Sequence, residues 1–188
     1  MSMSKGKLIA IIAVIAVVAI VLGTALWWIG TYNGLVKEEE KIDSQWAQVT
    51  NVYQLKIDLI PQLVSIVSGY QEFEASTLTN ITELRTQWME ADTTDEQVNV
   101  TSRLDSQLKT ILVTYENYPT LQSVALVSGL MYSLEGAETQ VAVERMRYNE
   151  AVQEYNAHLK SFPASMVADQ GGFEEREYYV SASAPAAP

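Results

Sequence analysis

Between Leu8 and Ile29 the chain runs for 22 residues without a charged side chain. As a helix that run rises roughly 33 Å, enough to cross the ~30 Å hydrocarbon core of a bilayer. A helix suits that setting because it satisfies its own backbone hydrogen bonds where there is no water. Lys5 and Lys7 precede the run, and Trp27, Trp28 and Tyr32 close it, where amphipathic rings settle at a membrane interface. It exceeds the roughly 7–15-residue apolar stretch of a signal peptide and ends in Trp-Trp-Ile-Gly, a poor cleavage site. Nor does it read as a core helix, being apolar all round. The expectation is an uncleaved transmembrane anchor over 8–30, with the lipid bilayer as partner, behind a short basic tail at 1–7.

Orientation rests on a small asymmetry, with Lys5 and Lys7 before the run and Lys37 and Lys41 after it. This reading puts the amino terminus inside and the large C-terminal part on the outer side of the cell membrane. The sequons at Asn80 and Asn99 point the same way, as possible N-glycosylation sites. Past Gly30, 158 residues remain, the size of one domain with a sizeable core. All 23 acidic residues and ten of the twelve basic ones lie there, an excess of 13 negative charges. Such a surface repels nucleic acid, which is excluded as a partner. The absence of cysteine removes disulfides, thiolate chemistry and cysteine-ligated zinc together.

The remainder is patterned for an all-α fold. Ile42, Trp46, Val49, Tyr53, Ile60, Leu63, Val67 and Tyr70 recur at helical steps, and Leu78, Ile81, Leu84 and Trp88 continue them. The spacing predicts a first helix over 32–89, kinked or broken near Pro61 because proline removes one helical hydrogen bond. Ala91 to Asp95 is the clearest loop, and Thr93 with Glu96 can form a capping box. A second helix follows over 95–116, and a third over 119–160 with Pro119 at its start. Short connections make these an antiparallel bundle over 31–162 of three to four long helices. Residues 163–180 form a C-terminal extension containing a Gly171-Gly172 turn. The Ala/Ser/Pro tail 181–188 has nothing to bury and is expected to be disordered. Glu177-Tyr178-Tyr179-Val180 has strand character and would cover the bundle or pair with another subunit.

In the last helix Leu134, Glu138, Val141, Arg145, Tyr148, Val152, Tyr155 and Leu159 alternate steps of four and three. That is a heptad-like seam with Glu138 and Arg145 among apolar neighbours. Burying either charge alone is costly, so each needs a partner. Lys56 and Asp58 stand at the corresponding height of the first helix. This buried polar layer is either a site inside the bundle or an ion-pair device that fixes helix register. His158, the only histidine, makes Glu154-x-x-x-His158, but the second motif and extra glutamates of a di-iron bundle are missing, so it reads as a surface residue near a helix C-terminus. Glu38-Glu39-Glu40 reads as a solvated acidic face. No catalytic, metal or cofactor-binding residue is assigned.

Three stretches together resemble the LemA family. They are Tyr32-Asn33-Gly34-Leu35-Val36; Asp58-Leu59-Ile60-Pro61-Gln62-Leu63-Val64 with Gly69-Tyr70; and Arg147-Tyr148-Asn149-Glu150-Ala151-Val152-Gln153-Glu154-Tyr155-Asn156. Tyr118-Pro119 and Gly171-Gly172-Phe173 fall at matching intervals, so the resemblance covers the chain from the anchor to Tyr179. It implies a membrane-anchored helical bundle and supplies no activity. Where the family pattern has arginine before Asp-Leu-Ile-Pro, this chain has Lys56-Ile57, and Ser68 replaces a lysine before Gly-Tyr. The basic cluster before Tyr-Asn is thinned to Arg145-Met146-Arg147, which weakens any hold on an anionic group there.

The reading that follows is a non-enzymatic, single-pass membrane scaffold or adaptor, needing no cofactor and self-associating as a homo-oligomer through its long helices. The alternative is a sensor or accessory subunit that binds a cationic peptide or protein partner through the acidic surface. A carboxylate-based enzyme is the remote third.

Overall fold

The structure, a computed structural model, describes residues 5–179, leaving out the side chains of Lys5 and Asp95. The expected disordered tail at 181–188 and most of the basic tail at 1–7 therefore lie outside the described residues. Six helices follow in order: α1 Lys5–Val67, α2 Ala75–Glu90, α3 Thr94–Asn117, α4 Pro119–Gln122, α5 Ala125–Lys160 and α6 Ala164–Gly171. No strand occurs among the described residues. The fold is all-α, as the periodicity predicts. The chain divides into two compact units, Met1–Asp43 with Glu150–Glu177 and Ser44–Asn149 with Tyr178–Pro188.

The second unit is an up-and-down arrangement of the 44–67 part of α1, α2, α3 and the 125–149 part of α5. Its core joins Tyr53, Ile57, Ile60 and Leu63 to Ile81, Leu84 and Trp88, to Leu104, Leu108 and Ile111, and to Val127, Met131, Leu134 and Val141. The α2–α3 turn is held by the expected capping box: Thr93 Oγ1 accepts from the Glu96 amide at 3.3 Å, and Glu96 Oε2 accepts from the Thr93 amide at 3.4 Å. Two free amides at the start of α3 are thereby satisfied.

The helix expected over 32–89 is two helices, and Pro61 does not divide them. Pro61 lies inside α1, and the reversal falls between Val67 and Ala75. Pro61 lacks the amide that the Ile57 carbonyl would accept. Arg85 Nε, from α2, donates to that carbonyl instead, at 3.4 Å. The helix ends where Ser68 turns its hydroxyl back to the Ser65 carbonyl at 3.2 Å and Gly69 follows. Burial of Phe73 then closes that end of the core. The helix expected over 119–160 is also divided, into α4 and α5. Ser123 Oγ donates to the Thr120 carbonyl at 2.7 Å, a side-chain bond that competes with helix propagation. Gln122 Nε2 donates to the Tyr115 and Glu116 carbonyls at 3.3 and 3.0 Å, satisfying the end of α3.

In the first unit α1 continues from the apolar run through Gly30 to Asp43 without a break. Leu35, Ile42, Val152, Tyr155, Val167 and Ala168 are among its buried residues. Lys41 Nζ meets Glu154 Oε2 at 2.6 Å, and both Glu38 carboxylate oxygens face His158 Nδ1, at 2.9 and 3.0 Å. These pairs set α1 and α5 antiparallel here. The Gly171-Gly172 turn needs both glycines. Gly172 has φ +74°, which L side chains rarely adopt, while a Cβ on Gly171 would stand 2.7 Å from the Phe173 ring. Gly171→Ala is therefore expected to destabilise this unit by about 1–3 kcal/mol, read as a lowered thermal midpoint.

After that turn the chain runs without regular secondary structure and is tied to α5 by side-chain amides. Asn156 Nδ2 donates to the Arg176 carbonyl at 2.9 Å and its Oδ1 accepts from the Arg176 amide at 3.0 Å. Tyr155 donates its hydroxyl to the Glu174 carbonyl at 3.0 Å. The same device recurs in the second unit, where Asn149 holds the Tyr179 amide and carbonyl at 2.8 and 3.0 Å. Of the two uses expected for the Glu177–Val180 stretch, Tyr179 takes the first, covering its own bundle at 6 % exposure.

Candidate functional site

The second unit buries a charged cluster whose hub is Asp105. Lys56 Nζ donates to Asp105 Oδ1 at 2.6 Å and also to Glu138, while Arg145 Nη2 donates to Asp105 Oδ2 at 2.6 Å. The Tyr53 hydroxyl adds a 3.0 Å bond to Asp105 Oδ1. Lys56 is 1 % exposed, which only a complete set of partners makes tolerable. Two rings extend the cluster: Lys56 Nζ lies 5.4 Å from the centre of the Tyr53 ring, and Arg145 Cζ lies 4.6 Å from that of Tyr179. Two cations meet two carboxylates, so the cluster is neutral as a whole.

Burial pushes the Asp105 carboxyl up, but the charges and hydrogen bonds of Lys56 and Arg145 outweigh it and hold the group below its ordinary range. Burial, with the Asp105 carboxylate beside it, raises the Tyr53 hydroxyl well above its usual value. Burial likewise pushes Tyr179 up to about 12, against the pull of Arg145. At neutral pH the carboxylate is ionised, the phenols carry their protons, and both Asp105 oxygens are engaged. Such a group is poorly placed to act as acid, base or nucleophile. A cleft of about 380 Å³ borders the cluster, lined by Lys56, Ser102, Asp105, Ser106, Lys109, Glu138 and Arg145 over Leu108, Leu112 and Leu134.

Of the polar layer expected from the sequence, the structure brings together Lys56, Glu138 and Arg145. Asp58 is a correction. It is exposed and accepts from Gln54 Nε2 at 2.7 Å, because two residues from Lys56 amount to about 200° around a helix. Asp105 takes its place. Its position four residues after Thr101 and seven before Leu112 is the signal that marks it as part of an inward stripe.

Leu8 and Ile29 are exposed, as are Trp27 and Tyr32 at 39 % and 40 %. Among the described residues one helix is long and apolar enough to cross a membrane, and its most apolar stretch is not buried by the other described residues. Asn80 and Asn99 are exposed on α2 and α3, while Thr101 of the second sequon is buried and bonds the Gln97 carbonyl at 2.6 Å. His158 faces Glu38 rather than Glu154, which takes Lys41. No set of three metal-ligating side chains occurs among the described residues.

A family model described as the LemA family matches residues 45–188. The magnetosome proteins MamQ 1 and MamQ 2 of Paramagnetospirillum magneticum are each 24 % identical over 174 residues, covering 79 % of this chain and 64 % of theirs. Protein LemA of Metamycoplasma hominis is 21 % identical over 144 residues, covering 76 % of this chain and 66 % of its own. The chain thus spans just under two thirds of the length of these relatives. With one family model running from Gln45, in the middle of α1, to its last residue, the chain belongs to the LemA family.

Proposed function

We propose that this protein is a non-enzymatic, single-pass membrane scaffold that holds its helical domain on the outer side of the cell membrane and self-associates there. The observation that carries the reading is the apolar run Leu8–Ile29, which stays exposed except at half-buried Trp28, with Ile20 at 68 % and Leu26 at 71 %. Burying that surface in hydrocarbon is worth roughly 25 cal/mol per Å², a gain the rest of the chain does not supply. The internal neutrality of the Asp105 cluster supports a structural use of its charges over a chemical one. Identical anchors concentrate the domains in two dimensions, which favours association between copies.

Because the chain has no cysteine, single thiols report topology cleanly. Gln71→Cys is expected to react with a membrane-impermeant maleimide on intact cells, and Gly6→Cys only after permeabilisation. The opposite pattern overturns the orientation. Deleting residues 8–29 should move the protein to the soluble fraction. Native mass spectrometry in detergent should show more than one copy per particle, and monomers alone would sink the self-association.

A second reading, a cationic peptide or protein partner, is favoured by the charge of the first unit. Between Thr31 and Asp43 and between Glu150 and Glu177 ten carboxylates stand against four basic side chains. Association through them should weaken sharply as salt rises, which pull-downs at two ionic strengths measure.

A further inference from the structure

The turn after α5 and the start of α6 carry apolar side chains that the described residues leave exposed. Phe162 is 82 % exposed and Met166 54 %, although both belong to the compact first unit that also contains the apolar run. The ion pairs Lys41–Glu154 and Glu38–His158 fix their height. They set an antiparallel register in which each step along α5 is matched by a step back along α1. Carried to its end, that register puts Lys160 opposite Leu35 or Val36 and the Ser161-Phe162-Pro163 turn opposite Asn33 or Gly34. The His158 ring also reaches one turn closer to the apolar run, where a Cβ on Gly34 would lie 3.8 Å from its Cε1. At 1.5 Å per residue the turn stands roughly 7 Å along the axis from Ile29. The far end of α6 is tied to the same level: a Cβ on Gly171 would be 3.2 Å from the Tyr32 ring, whose centre is 5.2 Å from that of Phe173.

We propose that Phe162 and Met166 form a second membrane contact, inserted at the headgroup–acyl boundary beside the anchor. Large apolar and aromatic side chains at that depth are buried by lipid about 5–10 Å deep and need no charge. Occupation by a lipid surface is argued from continuity with the exposed run Leu8–Ile29, a few residues away on α1. Asp169 and Gln170, exposed towards the other end of α6, mark its polar edge. The acidic character of the surrounding unit argues against attraction to anionic headgroups, so the contact is apolar and indifferent to salt. Its consequence is that the first unit is held to the bilayer at two points.

The inference rests on the anchor reading, and the experiment separates the two. Full-length chains carrying Val18→Cys, Phe162→Cys, Met166→Cys or Tyr132→Cys are labelled with an environment-sensitive fluorophore in phosphatidylcholine vesicles containing a nitroxide lipid. Tyr132, 79 % exposed in the second unit, is the aqueous reference. Val18, Phe162 and Met166 are expected to show blue-shifted emission and several-fold stronger quenching than Tyr132, unchanged by high salt. If Val18 is quenched while Phe162 and Met166 behave like Tyr132, the second contact is overturned and the anchor stands. If Val18 also behaves like Tyr132, the anchor reading fails and takes this inference with it. Quenching at Phe162 that salt abolishes would overturn the apolar contact.

Discussion

Asp105→Ala is expected to cost the second unit about 3–5 kcal/mol, because it takes one of two carboxylates from a fully buried ammonium and leaves a largely buried guanidinium without its ion pair. Lys56 would keep Glu138, whose side chain is 42 % exposed, and Arg145 would lose its ion pair with Asp105. Urea denaturation reads the loss as a lowered midpoint. The simultaneous change Lys56→Met, Asp105→Leu and Arg145→Met should recover most of it, since apolar side chains of similar size remove the desolvation cost together with the charges. A triple variant as unstable as the single one would mean that the cluster does more than balance itself. The acid limb carries the same signature. A carboxylate whose folded pKa is depressed adds stability above its unfolded value near 4, and that stability is lost as pH falls towards the folded value. Asp105→Asn should therefore flatten the decline in midpoint below about pH 4.

Asn156→Ala is expected to cost the first unit about 2–3 kcal/mol. Asn156 is 6 % exposed and makes two hydrogen bonds, each worth about 1 kcal/mol net, and its loss leaves both Arg176 main-chain groups without these partners. Hydrogen exchange locates the effect better than a melting curve: the Arg176 amide should lose protection while amides in the core of the second unit keep theirs. Asn156→Asp should not rescue it, because a carboxylate accepts from the amide but turns a second acceptor towards the carbonyl.

Periodicity made the helices legible and charge on a stripe made part of the cluster legible, because both are properties of one element. Glu138 and Arg145 stood out on their seam, and both face the cluster as the seam requires. Asp58 failed because closeness in sequence is not closeness on a helix, and Asp105 was hidden by the apolar neighbours that define its stripe. The reversal at 68–74 was hard to see because Pro61 is the stronger nominal breaker. Its cost is met by Arg85, a residue 24 positions away that no local pattern links to it. The asparagine clamps left no trace for a different reason. Their partners are main-chain groups, which every residue but proline carries, so no matching side chain marks the other half. Tyr148-Asn149 and Tyr155-Asn156, seven residues apart in the stretch that resembles the family, show in the structure what the repeated pair does.

The uninterrupted passage of α1 from Ile29 through Gly30 to Tyr32 makes the anchor a torsional shaft as well as a tether. Each residue turns a helix by about 100°, so one alanine inserted after Gly30 would swing Phe162 and Met166 about 100° around the anchor axis. Four would bring them to within about 40° of the starting azimuth while raising them by about 6 Å. The azimuth of the first unit around the apolar stretch is thus written in the count of residues between Ile29 and Tyr32.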